Sequence, residues 1–176
     1  MANIKEIKAR QILDSRGNPT IECDIILSDN FFGRASVPSG VSTGMYEAIE
    51  LRDTDSKRYM GKGVTKAIDN ILNIVKPKVL NKEYSNFNDF DREIINIDGT
   101  KNKSYLGANS TLALSLAFAR ALSAKANQNF YEFLSHDKNY ILPLPMFNIV
   151  NGGSHADNSV DIQEFMIAPV GAPSFS

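Results

Sequence analysis

The 176-residue sequence contains little of what marks several protein classes: one cysteine, two histidines, no tryptophan and a formal net charge of only -1. The single thiol, Cys23, can form neither an internal disulfide nor a cysteine zinc site, so a reducing cytoplasm is the expected location. With so little net charge and no basic cluster, we expect no nucleic-acid partner. No uncharged run reaches the ~20 apolar residues of a membrane span, and no apolar N-terminal segment indicates a secretory signal peptide.

What is present has the composition of an ordinary folded protein, 43% hydrophobic and 22% charged. Three strand-like segments separated by turn residues come first, and segments with helical spacing follow. This order predicts an α+β domain with helices on one face of a small antiparallel sheet. Pro77 is expected to disrupt the C-terminal end of the first helix. The predicted strands are 4–13, 20–27 and 31–38, and the predicted helices are 65–80, 87–99, 109–126 and 129–135.

The composition changes near Tyr140, where two closely spaced prolines introduce an apolar run in "NYILPLPMF". We place a domain boundary here, giving domains 1–139 and 140–176. The second segment has two predicted strands, in "PMFNIVNGG" and "VDIQEFMIAPVG", joined by the polar loop "GGSHADNS". Because two strands do not make a stable domain alone, we expect this module to be cut short.

A Gly/Ser stretch, "SGVSTG", follows the third predicted strand. It lacks the Gly-Lys-Ser/Thr ending of a P-loop and the glycine spacing of a dinucleotide fingerprint. Its hydroxyls and flanking glycines suit a lid that closes over a charged ligand, but small polar residues are also typical of surface loops. From the residues alone, a plain loop is favoured. The stretch consists of Ser39, Gly40, Val41, Ser42, Thr43 and Gly44.

A second candidate site lies in the predicted loop and strand near the end of the sequence. Gln163 and Glu164 are adjacent in a strand of otherwise apolar residues, so alternation sends them to opposite faces. If both faces are covered, at least one is a buried polar group that needs a partner. The alternative is an edge strand with one of the pair in solvent and the other in an ion pair. His155 can act as a proton shuttle, a phosphate ligand or a metal ligand, or can be a solvated loop histidine.

Two remaining features carry no assignment. Asp157 and Asp161 with His155 match no metal-binding spacing, and a solvated loop is the favoured interpretation. His136 follows a predicted helix and receives no role.

Five motifs in one order carry a resemblance to the enolase family over all 176 residues. They are "DSRGNPT", "VPSGVSTGMYEAIELRD", "MGKGV", "LGANSTLALSLAFARA" and "NGGSHADNSVDIQEFMIAPVGA". The resemblance implies an N-terminal domain of three strands and four helices, followed by a β/α (TIM-like) barrel that opens with two strands. This chain would hold the first domain and those two strands.

The resemblance also implies a reaction, the reversible Mg²⁺-dependent dehydration of 2-phosphoglycerate to phosphoenolpyruvate. Ser42 matches a lid serine that binds the second Mg²⁺, and His155 matches a mobile-loop histidine that approaches the substrate phosphate. Glu164 matches a glutamate near the departing hydroxyl, and Gln163 matches a glutamine close to the substrate. Val41 stands where the family usually has alanine, so we expect lid closure to be slowed or biased.

The rest of the barrel normally supplies the metal carboxylates, the lysine base and the main acid. Unless the chain continues past Ser176, we therefore expect it to be inactive, with exposed barrel strands that favour aggregation. The family also implies a homodimer or higher homo-oligomer in the cytoplasm, with secretion or cell-surface display reported for many members.

The alternative function is a non-catalytic interaction protein or pseudoenzyme derived from enolase, which would bind plasminogen or an RNA-degradation partner. The intact lid and "SHADN" loop weigh against it, since a binding module needs no mobile metal ligand. A general phosphate-binding α+β protein remains only if the resemblance is set aside.

Overall fold

A computed structural model describes residues 1–40, 44–135, 137 and 139–174. The chain divides into two compact units. The first holds residues 1–39 and 45–135, and the second holds Gly40, Gly44 and the described residues from Asp137 onward. Within the described residues, no helix is both long and apolar enough to cross a membrane.

The first unit begins with the predicted antiparallel meander. Its strands are β1 (Ala2–Leu13), β2 (Pro19–Leu27) and β3 (Phe32–Ser36). The turn between β1 and β2 is closed by Asp14, whose carboxylate accepts hydrogen bonds from the backbone N–H groups of Arg16 and Asn18 at 2.9 and 2.8 Å. Asp is favoured in this position because its short side chain can bond the backbone two residues ahead. The three strands and the α+β class are thus confirmed.

A fourth strand, β4 (Glu83–Tyr84), completes the sheet in the order β3-β2-β1-β4. It pairs antiparallel with the start of β1, with Ala2 opposite Tyr84. No sequence pattern predicts this strand, because two residues are too few to show alternation. Only its partner, some eighty residues earlier in the chain, defines it as a strand.

The helices follow the three strands of the meander in the order predicted, and β4 lies between the second and third of them. Helix α3 (Phe87–Asp98) is capped at its start by the Asn86 side chain, which accepts from the backbone N–H of Asp89 at 3.0 Å. It ends at Gly99, which has the left-handed φ of 64° that glycine adopts most easily. The helices are α1 (Thr65–Asp69), α2 (Lys76–Val79), α3 (Phe87–Asp98), α4 (Ala108–Lys125) and α5 (Phe130–Leu134).

The predicted disruption at Pro77 takes an unexpected form. Helices α1 and α2 are joined by a π-helical stretch, Asn70–Val75, so helical backbone continues from Thr65 to Val79. A proline in a regular α-helix clashes with the carbonyl four residues earlier, and a π-helical stretch widens the turn at that point. The expectation that Pro77 disrupts the C-terminal end is therefore corrected: the irregularity precedes the proline, and the helix ends only after Val79.

Helix α4 packs over β2 and β3 and supplies much of the core. Phe118, on this helix, is fully buried against Phe90 of α3, with ring centroids 4.4 Å apart. Tyr84 contacts both rings edge-on, at 5.2 and 5.5 Å. Aromatic pairs in such edge and tilted geometries stabilise a core beyond the area they bury. The helix predicted over 109–126 is thus confirmed, and much of it is buried.

Close approach of α4 to the sheet depends on Gly33 in β3. A Cβ atom at this position would lie 2.1 Å from the carbonyl oxygen of Ala117 and 2.3 Å from the backbone nitrogen of Ala121. Backbone atoms of a packed helix cannot move aside as a flexible side chain can. Glycine is therefore required here by the space between strand and helix.

Cys23 lies on β2 and is fully buried in the core. Burial raises the pKa of its thiol to about 12, because the thiolate would lose its hydration. A thiol in this state is a structural apolar group and a poor nucleophile.

Candidate functional site

The candidate site is built on a hairpin in the second unit. Its strands are β5 (Phe147–Asn151) and β6 (Glu164–Ile167), which pair antiparallel with Asn151 opposite Glu164. The two predicted strands and the polar loop between them are confirmed. Glu164 is the first residue of β6, so it lies at the end of the hairpin where the loop joins the two strands. The polar side chains of the loop lie at this same end.

Two glycines close the loop where it leaves β5. The Gly152 N–H donates to the Gln163 carbonyl at 3.0 Å, and the Gly153 N–H donates to the Val160 carbonyl at 2.8 Å. A Cβ on Gly152 would lie only 2.2 Å from the Val160 oxygen. A side chain at residue 152 would therefore push the two ends of the loop apart.

Asn158 ties the middle of the loop to the strand before it. Its side-chain amide donates to the Asn151 carbonyl at 2.9 Å, and its side-chain oxygen accepts from the Val160 N–H at 2.9 Å. The asparagine thus serves as both donor and acceptor inside the loop. Together with the glycine contacts, these bonds hold the loop folded back toward β6.

The folded loop places the His155 ring between the two polar residues at the start of β6. His155 ends a short 3-10 turn, Gly153–His155, and its backbone N–H donates to the Gly152 carbonyl at 3.0 Å. Its ring Nδ1 lies 3.0 Å from Oε1 of Glu164, and its Nε2 lies 2.7 Å from the side-chain nitrogen of Gln163. The structure therefore brings together three of the predicted site residues.

One expectation about Gln163 and Glu164 is wrong. Gln163 precedes β6, so strand alternation does not separate it from Glu164, and both side chains reach the same histidine. Neither residue is buried: Gln163 is exposed, and the Glu164 side chain is 34% exposed. The geometry is nearer to the alternative, with Glu164 in contact with His155 at an accessible site.

The acidic residues nearby form no metal site. Among the residues that the structure describes, no group of three or more His, Cys, Asp or Glu side chains is placed to hold a cation. Glu164 is engaged by His155, and Asp157 and Asp161 are exposed in the loop.

The central part of the predicted lid, Val41, Ser42 and Thr43, lies outside the described residues, as does His136. The predicted metal ligand and the predicted effect of Val41 therefore stay predictions. Ser39, at the start of the stretch, belongs to the first unit. Its hydroxyl accepts a hydrogen bond from Arg52 at 3.0 Å and lies 3.4 Å from Glu50.

Arg52 is a positioning residue that the sequence analysis missed. Its guanidinium donates to the backbone carbonyls of Pro19 and Lys62, both at 2.6 Å, and also contacts Glu50 at 2.6 Å. It therefore ties the first residue of the lid stretch to strand β2 and to the loop before α1. A single arginine in an irregular segment offers no periodic signal that would have identified these partners.

The first unit is an α+β domain, and the second unit carries a hairpin with a histidine and a carboxylate in contact at its end. Residues 4–134 match the family model for the enolase N-terminal domain, and residues 139–176 match the model for the enolase C-terminal TIM barrel domain. The chain belongs to the enolase family. Enolases are lyases of glycolysis, and the family is generally magnesium-dependent.

Proposed function

We propose that this chain is part of an enzyme that reversibly dehydrates 2-phosphoglycerate to phosphoenolpyruvate. The observation that carries the proposal is the convergence of His155, Gln163 and Glu164 at one accessible end of the β5–β6 hairpin. The three residues are the ones that resemble the family's substrate-contacting positions. Membership of the enolase family supports the same reaction class.

In this proposal, Glu164 acts on the acid side of the elimination, near the departing hydroxyl. A glutamate can share a proton with a leaving oxygen when neighbouring negative charge, such as that of a bound substrate, stabilises its protonated form. The partial exposure of its side chain leaves it within reach of a ligand, and His155 holds one of its oxygens in place.

His155 approaches the phosphate of the substrate, and Gln163 lies close to the substrate beside it. An imidazole suits this task because it can donate a hydrogen bond or carry positive charge near neutral pH. A loop held by Gly152, Gly153 and Asn158 gives the ring a defined starting position.

The described residues do not form a magnesium site, since they contain no suitable group of ligands. Ser42 remains the proposed ligand in this chain, delivered by the lid stretch from Ser39 to Gly44. No step of the chemistry assigned here to His155, Gln163 or Glu164 passes through a metal ion.

The proposal extends to assembly and location, with a homodimer or higher homo-oligomer acting in the cytoplasm. Secretion and surface display remain part of the proposal as well. A reducing location accords with the single, buried thiol of Cys23.

A second candidate is a non-catalytic protein that binds a partner such as plasminogen or an RNA-degradation component. The observation that favours it is the exposure of apolar side chains on the hairpin, which a partner would cover. Those side chains are Phe147, Ile149, Ile162, Phe165, Met166 and Ile167.

The two candidates are separated by measuring the protein at the length found in its own cells. We would first determine its intact mass, and then assay formation of phosphoenolpyruvate from 2-phosphoglycerate. A mass well above 19.4 kDa together with activity supports the enzyme. If the protein at its native length shows no dehydration with Mg²⁺ present, the proposal fails and the binding function is favoured.

Glu164→Gln tests the role of the glutamate in that native-length protein. We expect a loss of about 10²- to 10⁴-fold in kcat, the usual contribution of a general acid or base. Glu83→Gln, at an exposed position in β4, is the matched control and should leave kcat unchanged. A kcat for Glu164→Gln within a few-fold of wild type would remove Glu164 from the chemistry.

A further inference from the structure

Both nitrogens of the His155 ring have partners of defined hydrogen-bonding character. A carboxylate oxygen can only accept, so the contact between Nδ1 and Glu164 Oε1 at 3.0 Å requires a proton on Nδ1. The atom that faces Nε2, at 2.7 Å, is the side-chain nitrogen of Gln163, which can only donate. Nε2 must therefore present its lone pair.

These two contacts are compatible with one form of the ring. It is neutral, with its proton on Nδ1, whereas a free neutral histidine side chain favours the proton on Nε2. The hydrogen bond made by one ring nitrogen selects the tautomer at the other. A carboxylate at Nδ1 and an amide donor at Nε2 both favour the less common form.

We propose that Gln163 is a positioning residue that, together with Glu164, holds His155 in the neutral Nδ1–H tautomer. Backbone hydrogen bonds support this arrangement. The Gly152 N–H donates to the Gln163 carbonyl, and the Gly152 carbonyl accepts from the His155 N–H. The backbones of Gln163 and His155 are therefore both bonded to Gly152.

The consequence for ligand binding rests on the proposed function. In the Nδ1–H form, the ring has no N–H left for an incoming phosphate, because Nδ1 is engaged by Glu164 and Nε2 carries no proton. Binding of the phosphate by Nε2 therefore requires that Gln163 releases this nitrogen and that the nitrogen gains a proton.

Glutamine is suited to this exchange because its side-chain amide has a nitrogen that donates hydrogen bonds and an oxygen that accepts them. With the nitrogen toward the ring it donates to a bare Nε2, and after rotation its oxygen accepts from a protonated Nε2. Neither leucine nor glutamate can do both. The choice of glutamine at residue 163 thus allows one side chain to serve both protonation states of the histidine.

The test is nitrogen NMR of protein selectively labelled with ¹⁵N-histidine, prepared at its native length. The His155 resonances are identified by their loss in His155→Gln. At mildly alkaline pH, where an ordinary histidine is neutral, we expect Nδ1 to carry the proton and Nε2 to be bare. A dominant Nε2–H form, or a proton on both nitrogens at that pH, would overturn the proposal.

Two variants at residue 163 distinguish positioning from general structural damage. Gln163→Leu removes the donor, and we expect the Nδ1–H form to fall from the major to a minor species. Gln163→Glu replaces the donor with an acceptor, and we expect both nitrogens to be protonated at neutral pH. Gln128→Leu, at an exposed position of the first unit, is the matched control and should leave His155 unchanged. An unaltered tautomer in both Gln163 variants would show that Gln163 has no such role.

The tautomer measurement does not depend on activity. If the dehydration assay fails while the Nδ1–H form is found, the reaction is wrong and the positioning role stands. If the enzyme is active but the tautomer is Nε2–H, the reaction stands and the positioning role is wrong.

Discussion

The phenylalanines of the two units lie in opposite environments. Phe90 and Phe118 in the first unit are fully buried, whereas Phe147 and Phe165 in the hairpin are 51% and 61% exposed. Both regions contain strands rich in apolar residues, but in the first unit a long helix covers the sheet. Apolar composition alone therefore does not make a core, since a second element must cover each apolar face.

The charged and polar side chains of the two units also differ in their surroundings. In the first unit, charged groups such as Asp24 are held in networks on the sheet, where their contribution is to stability. In the hairpin, His155 and Glu164 are held in a defined geometry but remain accessible. The first region is organised for stability, and the second presents chemical groups.

The largest effect is expected from removing a core ring in the first unit. Phe118→Ala should lower the free energy of unfolding by about 3–5 kcal/mol, because it removes a buried aromatic side chain and leaves a cavity. In the 176-residue chain, Phe165→Ala is at an exposed site and should change it by no more than about 0.5 kcal/mol. Urea unfolding followed by circular dichroism measures both. Equal losses of unfolding free energy in the two variants would contradict the difference in burial between the two units.

A smaller effect is expected when space is removed between β3 and α4. Gly33→Ala should lower the free energy of unfolding by about 1–3 kcal/mol, because its Cβ would overlap backbone atoms of α4.

Gly152→Ala introduces a similar overlap in the hairpin loop. We expect it to disturb the His155 NMR resonances while leaving the unfolding of the first unit unchanged. A normal His155 spectrum in Gly152→Ala would contradict the role given to this glycine.

Acid should weaken the first unit through Asp24. Hydrogen bonds from Arg34, and then those from Arg10, hold the pKa of its carboxyl below the ordinary value of 3.8. A depressed pKa in the folded state means that the stabilisation is present above that ordinary value and is lost as pH falls through the folded-state pKa. Both arginines are partly exposed, so the effect is modest.

We therefore expect Asp24→Asn to lower the free energy of unfolding by about 1 kcal/mol at neutral pH. The difference from wild type should shrink progressively as pH falls below 3.8. Asp161→Asn, in the exposed hairpin loop, is the control and should match wild type throughout. A difference for Asp24→Asn that is independent of pH would exclude the ion pair as its cause.

An effect of similar size, but independent of the Asp24 ion pairs, is expected at the start of α3. Asn86→Ala removes the side chain that accepts from the Asp89 N–H and should lower the free energy of unfolding by about 1 kcal/mol. Asn96→Ala, at an exposed position inside the same helix, should be neutral or slightly stabilising because alanine has the higher helix propensity. If the two variants behave alike, the cap contributes nothing.

Local patterns predicted most of the architecture because each is set by nearby residues. The turn at Asp14, the end of α3 at Gly99 and the apolar alanine-rich α4 all follow from chemistry within a few positions. The π-helical stretch before Pro77 was missed, since proline restricts a helix without specifying how the backbone adapts.

The candidate site was predicted residue by residue, but its geometry was not. Alternation assigned Gln163 and Glu164 to opposite faces, and it failed because β6 begins at Glu164. Where a strand begins depends on pairing across the hairpin. The contacts of both residues with His155 likewise depend on a loop that returns through bonds from Gly152 and Asn158.

By itself, the sequence determined the α+β class, the order of the first three strands and of the helices, and the membership of the enolase family. The tertiary structure alone decided that Gly33 must lack a side chain, that Arg52 links three separate segments, and that one histidine engages two adjacent residues. The physical reason is the distance along the chain over which each interaction acts. Propensity, capping and turn chemistry act over a few residues, whereas steric overlap and hydrogen bonding act between groups that only the fold brings together.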